Sequence, residues 1–164
     1  INGIIMKNTD IVLNHNLFNE KINKIEDDEK TRVFCKHDFS HLMDVARICY
    51  IINLEENLNI DKDLIYVTAL LHDLGRADEV DTGINHSILS QEIAQEILKD
   101  LDFDEKSKQR IISAIKHHRT NKENDDRFIE IFYKADKLSR MCFRCPARSI
   151  CNWSEEKKNK TVIY

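Results

Sequence analysis

Glycine and proline are rare in this chain, which has three Gly and one Pro among its 164 residues. Both residue types end helices and form the tight turns that a fold of many short strands requires. Apolar residues also recur at a helical period along most of the chain. We therefore predict an all-α fold, arranged as a single-domain bundle of about six or more helices.

The apolar pattern predicts helices over residues 10–27, 38 or 40 to 57, 61–74, 85–100, 104–119 and 126–140. The third is apolar on nearly every side, which is typical of a buried central helix. We expect Gly75 to end it, as glycine often ends helices. We also expect Ile88 to face the core from the fourth helix, which follows a loop containing Gly83.

The length of the chain suits one hydrophobic core and is too short for two. Residues 1–36 are predicted to form an N-terminal helix and an acidic linker that pack on this core. Residues 37–140 form the main domain, and residues 141–164 form a cysteine-bearing tail whose last three residues dock back.

The net charge is -4 and the isoelectric point is near 6.0. This balance argues against nucleic acid as the main partner, because phosphate binding needs clustered Lys and Arg. There is no apolar run of the ~20 residues that would span a bilayer, and residues 1–7 lack the basic start of a secretory signal. Five cysteines, an odd number, argue against a disulfide framework. We expect a cytoplasmic protein with reduced thiols and no membrane anchor.

Several ionisable side chains fall on apolar helix faces, where a polar group is costly unless it is paired or bound to metal. They are His72, Asp73, His86, His118 and Asp136. His118 shares a face with Ile111 and Ile115, whereas His117 shares one with Ser113. The period therefore favours His118 as the inward residue, and His117 takes its place if the helix is rotated.

These residues carry a resemblance to a known family. The order His41, His72-Asp73 and Asp136, on three predicted helices, resembles the HD superfamily of metal-dependent phosphohydrolases over about residues 37–140. Three local phrases are similar as well: Ser-His-Leu-Met-Asp-Val-Ala at 40–46, Ala-Leu-Leu-His-Asp-Leu-Gly-Arg at 69–76, and Lys-Ala-Asp-Lys-Leu at 134–138. The resemblance implies an HD-type helical bundle with a metal site built from His41, His72, Asp73 and Asp136.

His86 and the phrase Ala-Ile-x-x-His ending at His118 extend the resemblance to a six-ligand subgroup. It includes small bacterial enzymes that cleave diadenosine tetraphosphate symmetrically. The subgroup implies two divalent ions bridged by Asp73, with His41, His72 and Asp136 on one and His86 and His118 on the other. Fe, Mn, Zn, Co and Ni all suit these ligands.

The resemblance implies hydrolysis of a small phosphorylated substrate, a nucleotide or a related ester or anhydride, with His72 and Asp73 as catalytic residues. Arg76, Lys137 and Arg140 adjoin ligands and are candidate phosphate-binding residues, with Arg119 a weaker one. Two alternatives stay open: a di-iron oxygenase on the same fold, and a regulatory module whose metal site is catalytically silent.

Three cysteines lie just after the last predicted helix, Cys142 and Cys145 as a Cys-x-x-Cys pair and Cys151 shortly beyond. Such a group is a candidate second metal or redox site, holding zinc or an iron–sulfur centre with Cys35 as a possible fourth ligand. The alternative is a set of free cytosolic thiols. Cys49 is expected to pack in the core.

Overall fold

The structure is a computed structural model that describes residues 5–120 and 125–164. Helices dominate this part of the chain and it contains no strand, so the predicted all-α class is confirmed. Residues 1–4 of the predicted N-terminal segment lie outside the described residues. The α-helices are α1 Lys7–Asn14, α2 Asn16–Asp28, α3 Phe39–Glu55, α4 Lys62–Leu71, α5 Arg76–Thr82, α6 His86–Leu98, α7 Glu105–His117 and α8 Arg127–Leu138.

The core forms around α4, in which every residue from Leu64 to Leu71 is buried. Helix α3 packs on both α4 and α8, while α1 and α7 also contact α4. The prediction of a buried central helix is thus confirmed. Among the described residues, no helix is both long enough and apolar enough to cross a membrane.

The first predicted helix is in fact two helices, α1 and α2, separated at His15. The backbone of His15 is extended, and its ring nitrogen accepts a hydrogen bond from the N–H of Leu17 at 3.2 Å, which caps α2. Apolar residues continue at helical spacing across the break, so periodicity alone could not reveal it. The acidic run at 26–29 was predicted as a linker, but residues 26–28 form the last turn of α2 and Glu29 is its C-cap.

Gly75 does not end α4 in the way predicted. Helix α4 ends at Leu71, and Gly75 has a right-handed φ of -63° and directly precedes α5. Helix α5 itself was predicted as loop. Gly75 is needed because α6 crosses its backbone so closely that a Cβ would lie 2.2 Å from the carbonyl oxygen of His86. Among the described residues, the glycine in a left-handed conformation is Gly83, with φ 68°, at the end of α5.

Two predictions of apolar burial were wrong. Ile88 is 50% exposed, because it follows His86 by two positions, about 200° around the helix, while His86 and Leu89 face inward. Val162 and Ile163 are also exposed, and of the last three residues Tyr164 packs against the core.

Helix α1 is anchored to α4 by the carboxylate of Asp63. This carboxylate accepts hydrogen bonds from the backbone N–H groups of Asn8 and Thr9, at 2.9 and 2.8 Å, and from both of their side chains. The four bonds satisfy buried groups at the start of α1 and hold the helix against the core.

We expect Asp63→Ala to destabilise the protein by about 3 kcal/mol, because it removes a charged acceptor and leaves the buried N–H groups of Asn8 and Thr9 unpaired. Urea unfolding followed by circular dichroism measures the loss. Asp10→Ala, at an exposed carboxylate on the same helix, is the matched control and should cost under about 1 kcal/mol. Equal losses in the two variants would contradict the anchoring role.

Candidate metal centre

Six ionisable side chains from five segments of the bundle meet at one place. Each of them lies at or near a helix end, where the chain presents side chains to a common point. His41 is in the first turn of α3, His72 and Asp73 follow α4, His86 opens α6, His118 follows α7, and Asp136 is in the last turn of α8. These are the six ligands that the sequence predicts, and the structure brings all of them together.

The carboxylate of Asp73 is the centre of the arrangement. Its Oδ2 lies 3.6 Å from Nε2 of His41 and 3.4 Å from Nε2 of His72. Its Oδ1 lies 3.4 Å from Nε2 of His86 and 3.5 Å from Nε2 of His118. The two oxygens of one carboxylate therefore face two different pairs of imidazoles.

The same division defines two possible metal sites. In one, ligand atoms of His41, His72 and Asp73 all lie within 4.8 Å of one another, and in the other those of Asp73, His86 and His118 do. Asp136 adjoins the first group, with its Oδ1 3.6 Å from Nε2 of His41. Imidazole nitrogens and carboxylate oxygens in this number suit divalent transition metals.

Hydrogen bonds at the opposite ring nitrogens orient the imidazoles. Nδ1 of His72 lies 2.7 Å from the carbonyl oxygen of Ala69, and Nδ1 of His118 lies 2.6 Å from that of Ile115. Because a carbonyl oxygen only accepts, each Nδ1 carries a proton, and in the neutral ring Nε2 then has a free lone pair. Nδ1 of His86 is oriented similarly by the carboxylate of Glu79, at 2.9 Å.

Buried polar atoms without partners point to a missing ligand. Among the described residues, Nε2 of His41, His72 and His86 and Oδ1 of Asp73 are buried and have no hydrogen-bond partner. Each such atom costs about 1–3 kcal/mol, and these four face one another. Bound cations would satisfy all of them at once, so the residues present fit a metal centre.

The charge states at neutral pH also suit metal binding. Burial alone would raise the pKa of Asp73, but His72 and Arg76 outweigh it and hold the pKa well below its usual range. Burial likewise opposes ionisation of Asp136, and the ammonium of Lys137 is the chief group that lowers its pKa. Burial, followed by the charge of Arg76, lowers the pKa of His86 to about 4. The carboxylates are therefore ionised and His86 is neutral.

The two adjacent histidines at the end of α7 have different surroundings. His118 is 2% exposed and faces Asp73. His117 turns away, with its Nδ1 2.8 Å from the carbonyl oxygen of Ser113, and it lines a separate surface cavity. Of the two alternatives that the sequence left open, the structure brings His118 into the cluster.

A cavity of about 920 Å³ opens onto the cluster and is strongly basic. Its lining includes His41, Asp73, His118 and Asp136, and eight Lys and Arg side chains against four carboxylates. The cationic residues are Arg32, Arg76, Arg119, Arg127, Lys134, Lys137, Arg140 and Lys157. This positive cavity lies in a chain of net charge -4.

The predicted phosphate-binding residues Arg76, Lys137 and Arg140 all line this cavity. Nε of Arg76 lies 3.1 Å from Oδ1 of Asp73. The two groups form an ion pair, but their geometry is not that of a hydrogen bond. Lys137 donates to the carboxylate of Asp136. The Arg140 guanidinium stacks 4.6 Å from the ring centre of Trp153. Arg119, the weaker candidate, lines the cavity as well.

Sequence reasoning missed two residues that support the site. Glu79 orients His86 from α5, and His37 packs edge-on against His41 with ring centres 5.5 Å apart. Nδ1 of His37 lies 2.8 Å from a carboxylate oxygen of Glu29. No local pattern marks Glu79, because its helix was not predicted. His37 could have been noticed as a further histidine close to His41.

The model of the HD domain family matches residues 38–141 of this chain. The chain belongs to the HD domain family. This HD-domain protein is 45% identical over 136 residues to an uncharacterised protein of Clostridium beijerinckii, a match that covers 83% of this chain and 85% of the relative. Its fold is similar to the crystal structure of a predicted HD superfamily hydrolase from an uncultured Thermotogales bacterium. That match has a TM-score of 0.64 and 25% identity, and it covers 87% of this chain and 79% of the other.

Proposed function

We propose that this HD-domain protein is a metal-dependent phosphohydrolase that acts on a small phosphorylated substrate, a nucleotide or a related phosphate ester or anhydride. The observation that carries the proposal is the Asp73 carboxylate, whose two oxygens face two separate pairs of imidazoles below a basic cavity. Membership of the HD family and the likeness to the Thermotogales hydrolase support a metal-dependent hydrolase in general.

Two divalent ions would share Asp73 as a bridging carboxylate. His41, His72 and Asp136 would complete the ligands of one ion, and His86 and His118 those of the other. Fe, Mn, Zn, Co and Ni suit these nitrogen and oxygen ligands. When bound, such ions polarise a phosphoryl oxygen and lower the pKa of a water molecule toward neutrality.

The side chains that line the cavity would bind the substrate and hold the metal ligands in position. Its excess of cations attracts anions, and a volume of about 920 Å³ is large enough for a nucleotide. Arg76 pairs with Asp73, Lys137 directly follows Asp136, and Arg140 lies four residues after Asp136. All three line the cavity, so they are placed to hold phosphate groups. Glu79 and the backbone carbonyls keep the imidazoles in their metal-binding orientation.

The test uses the full chain stripped of metal with a chelator and then reloaded with single divalent ions. Phosphate release is measured on nucleoside monophosphates, cyclic nucleotides, nucleoside triphosphates and dinucleoside polyphosphates, with oxygen uptake recorded in parallel. We expect phosphate release that is lost on chelation and restored by metal. A di-iron protein that consumes oxygen without releasing phosphate would overturn the proposal in favour of an oxygenase. A protein that binds metal but neither releases phosphate from any of these substrates nor consumes oxygen would favour a regulatory module whose metal site is catalytically silent.

If two ions bind, replacing His118 and replacing its neighbour His117 should have different effects on the metal content. His118→Ala should lower the metal content of the HD centre from about two ions per chain to about one, because it removes an imidazole from the group formed by Asp73, His86 and His118. His117→Ala is the matched control and should leave the content unchanged. Elemental analysis after dialysis measures both. If the two variants lose metal equally, His118 is not a specific ligand.

A further inference from the structure

The tail of this chain folds back as one wall of the basic cavity. It contains three short 3-10 helices, Cys142–Arg144, Arg148–Ile150 and Glu155–Lys157. The side-chain amide of Asn159 donates to the carbonyl oxygens of Lys137 and Arg140, at 2.9 and 2.7 Å, which ties the tail to the end of α8. Trp153 then lines the cavity.

Four of the five cysteines gather where this tail meets the segment that follows α2. Cys35 comes from that segment, and the other three come from the tail. Cys35 and Cys151 line the same cavity. Cys142 is 8% exposed, and the N–H of Cys145 donates to its carbonyl oxygen at 3.4 Å, so these two occupy one tight turn.

The pKa of Cys35 agrees with this grouping. Burial is the main cause that raises the pKa of the Cys35 thiol, and Cys142, Cys145 and Cys151 each raise it further. Cys49 differs, because burial is the one cause that raises its pKa, and it packs in the hydrophobic core. All five cysteines, each within the described residues, are free thiols.

We propose that Cys35, Cys142, Cys145 and Cys151 ligate one iron–sulfur cluster of the [4Fe–4S] type. Four cysteine thiolates are the ligand set of such a cluster. Each thiol would release its proton on ligation, as metal-bound cysteines do. The site is separate from the HD centre, whose ligands are histidine and aspartate, and it carries a structural function: it fastens the tail to the segment around Cys35.

The spacing of the sulfurs favours a cluster over a single zinc ion. With Zn–S bonds of about 2.3 Å, four sulfurs around one zinc stand only about 3.8 Å apart. Among the described residues, the groups of three or more ligand atoms that lie within 4.8 Å of one another are the two of the HD centre. No three of the cysteine sulfurs form such a group, so they do not lie as close together as a tetrahedral zinc site requires, which leaves room for a larger metal cluster.

The cation Arg140 lines the same cavity as Cys35 and Cys151. Arg140 lowers the pKa of Cys35, opposing the effects of burial and of the other cysteines. Four thiolates around a four-iron cluster leave a net negative charge, which a neighbouring guanidinium offsets. Arg140 is itself held in place by the ring of Trp153 and by the carbonyl oxygen of Lys137, to which it donates at 3.0 Å.

The experiment is anaerobic purification of the full chain, followed by measurement of iron, zinc, acid-labile sulfide and absorbance near 400 nm. We expect about four sulfides per chain, and an electron paramagnetic resonance signal after reduction with dithionite. Sulfide should fall at least about fivefold in Cys35→Ser and Cys145→Ser. It should be retained in Cys49→Ala, the matched cysteine control, and in Asp73→Ala, which disrupts the HD centre.

Zinc bound through the same four cysteines without sulfide would overturn the cluster, and so would the absence of any cysteine-dependent metal. Circular dichroism checks the fold of the serine variants, whose substitutions lie outside the eight α-helices. The wild-type sulfide and resonance measurements need no variant at all. Because phosphate release is not among the readouts, failure of this proposal is distinguishable from failure of the proposed function.

Discussion

Asp73→Ala is expected to abolish metal-dependent phosphate release, lowering kcat by on the order of 10³-fold or more. Asp73 contributes a ligand atom to both candidate metal groups, so the substitution removes an oxygen from each. Metal content should fall with activity. Metal analysis and a phosphate-release assay at saturating metal measure the two effects on the same sample.

The metal-free Asp73→Ala variant should nevertheless stay folded. In the wild-type protein without metal, Asp73 is 2% exposed, its Oδ1 has no hydrogen-bond partner, and it forms an ion pair with Arg76. Its removal lifts the desolvation cost of a buried carboxylate but leaves Arg76 without its partner, so we expect some loss of stability without unfolding. Asp102→Ala is the control, since that exposed carboxylate pairs with Lys7 at 2.9 Å, away from the HD centre, and its loss should leave activity unchanged. Retention of more than about a tenth of the phosphate release by Asp73→Ala would contradict the bridging role.

Gly75→Ala should destabilise the protein by about 3 kcal/mol or more, or prevent folding. The added Cβ would lie 2.2 Å from the carbonyl oxygen of His86 and 2.5 Å from the backbone nitrogen of Ser90. Both are backbone atoms of α6, which cannot move aside as a flexible side chain can. Relief of the clash would shift α6 and draw His86 away from Asp73.

Gly83→Ala provides the matched comparison. At this position a Cβ meets no atom within 4 Å, and the expected cost comes from the positive φ of 68°, about 1 kcal/mol. Urea unfolding of both metal-free variants measures the difference. A Gly75→Ala variant no less stable than Gly83→Ala would show that the packing of α6 on this turn is not tight.

The helices that the sequence predicts well are those with a long apolar stripe. Helix α4 is apolar on nearly all sides, and the structure buries it. Helix α5 could not be recognised, because it is one short stretch in which Ala77 is buried and Val80 is 90% exposed. The break at His15 is fixed by a local hydrogen bond from Leu17. The spacing of apolar residues gives no sign of such a bond.

The candidate site was accessible to sequence reasoning for a physical reason. Charged or imidazole side chains on apolar faces need compensation, and His86, His118 and Asp136 became ligand candidates because they occur together with His72 and Asp73. The sequence does not show which side chains come close together in the folded protein. The contact of Glu79 with His86 and the crossing of α6 over Gly75 depend on how helices meet, and no spacing along the chain encodes either.

The convergence of ligands from five segments also has a thermodynamic consequence. No fragment of the chain carries the whole centre, so metal should bind the native state strongly and the unfolded state weakly. Bound ions would then stabilise the protein by mass action, by about 4 kcal/mol at a free metal concentration 1,000 times the Kd. Metal availability in the cell would therefore set how much of this protein persists, because the unfolded fraction available to proteases would rise whenever the metal supply falls.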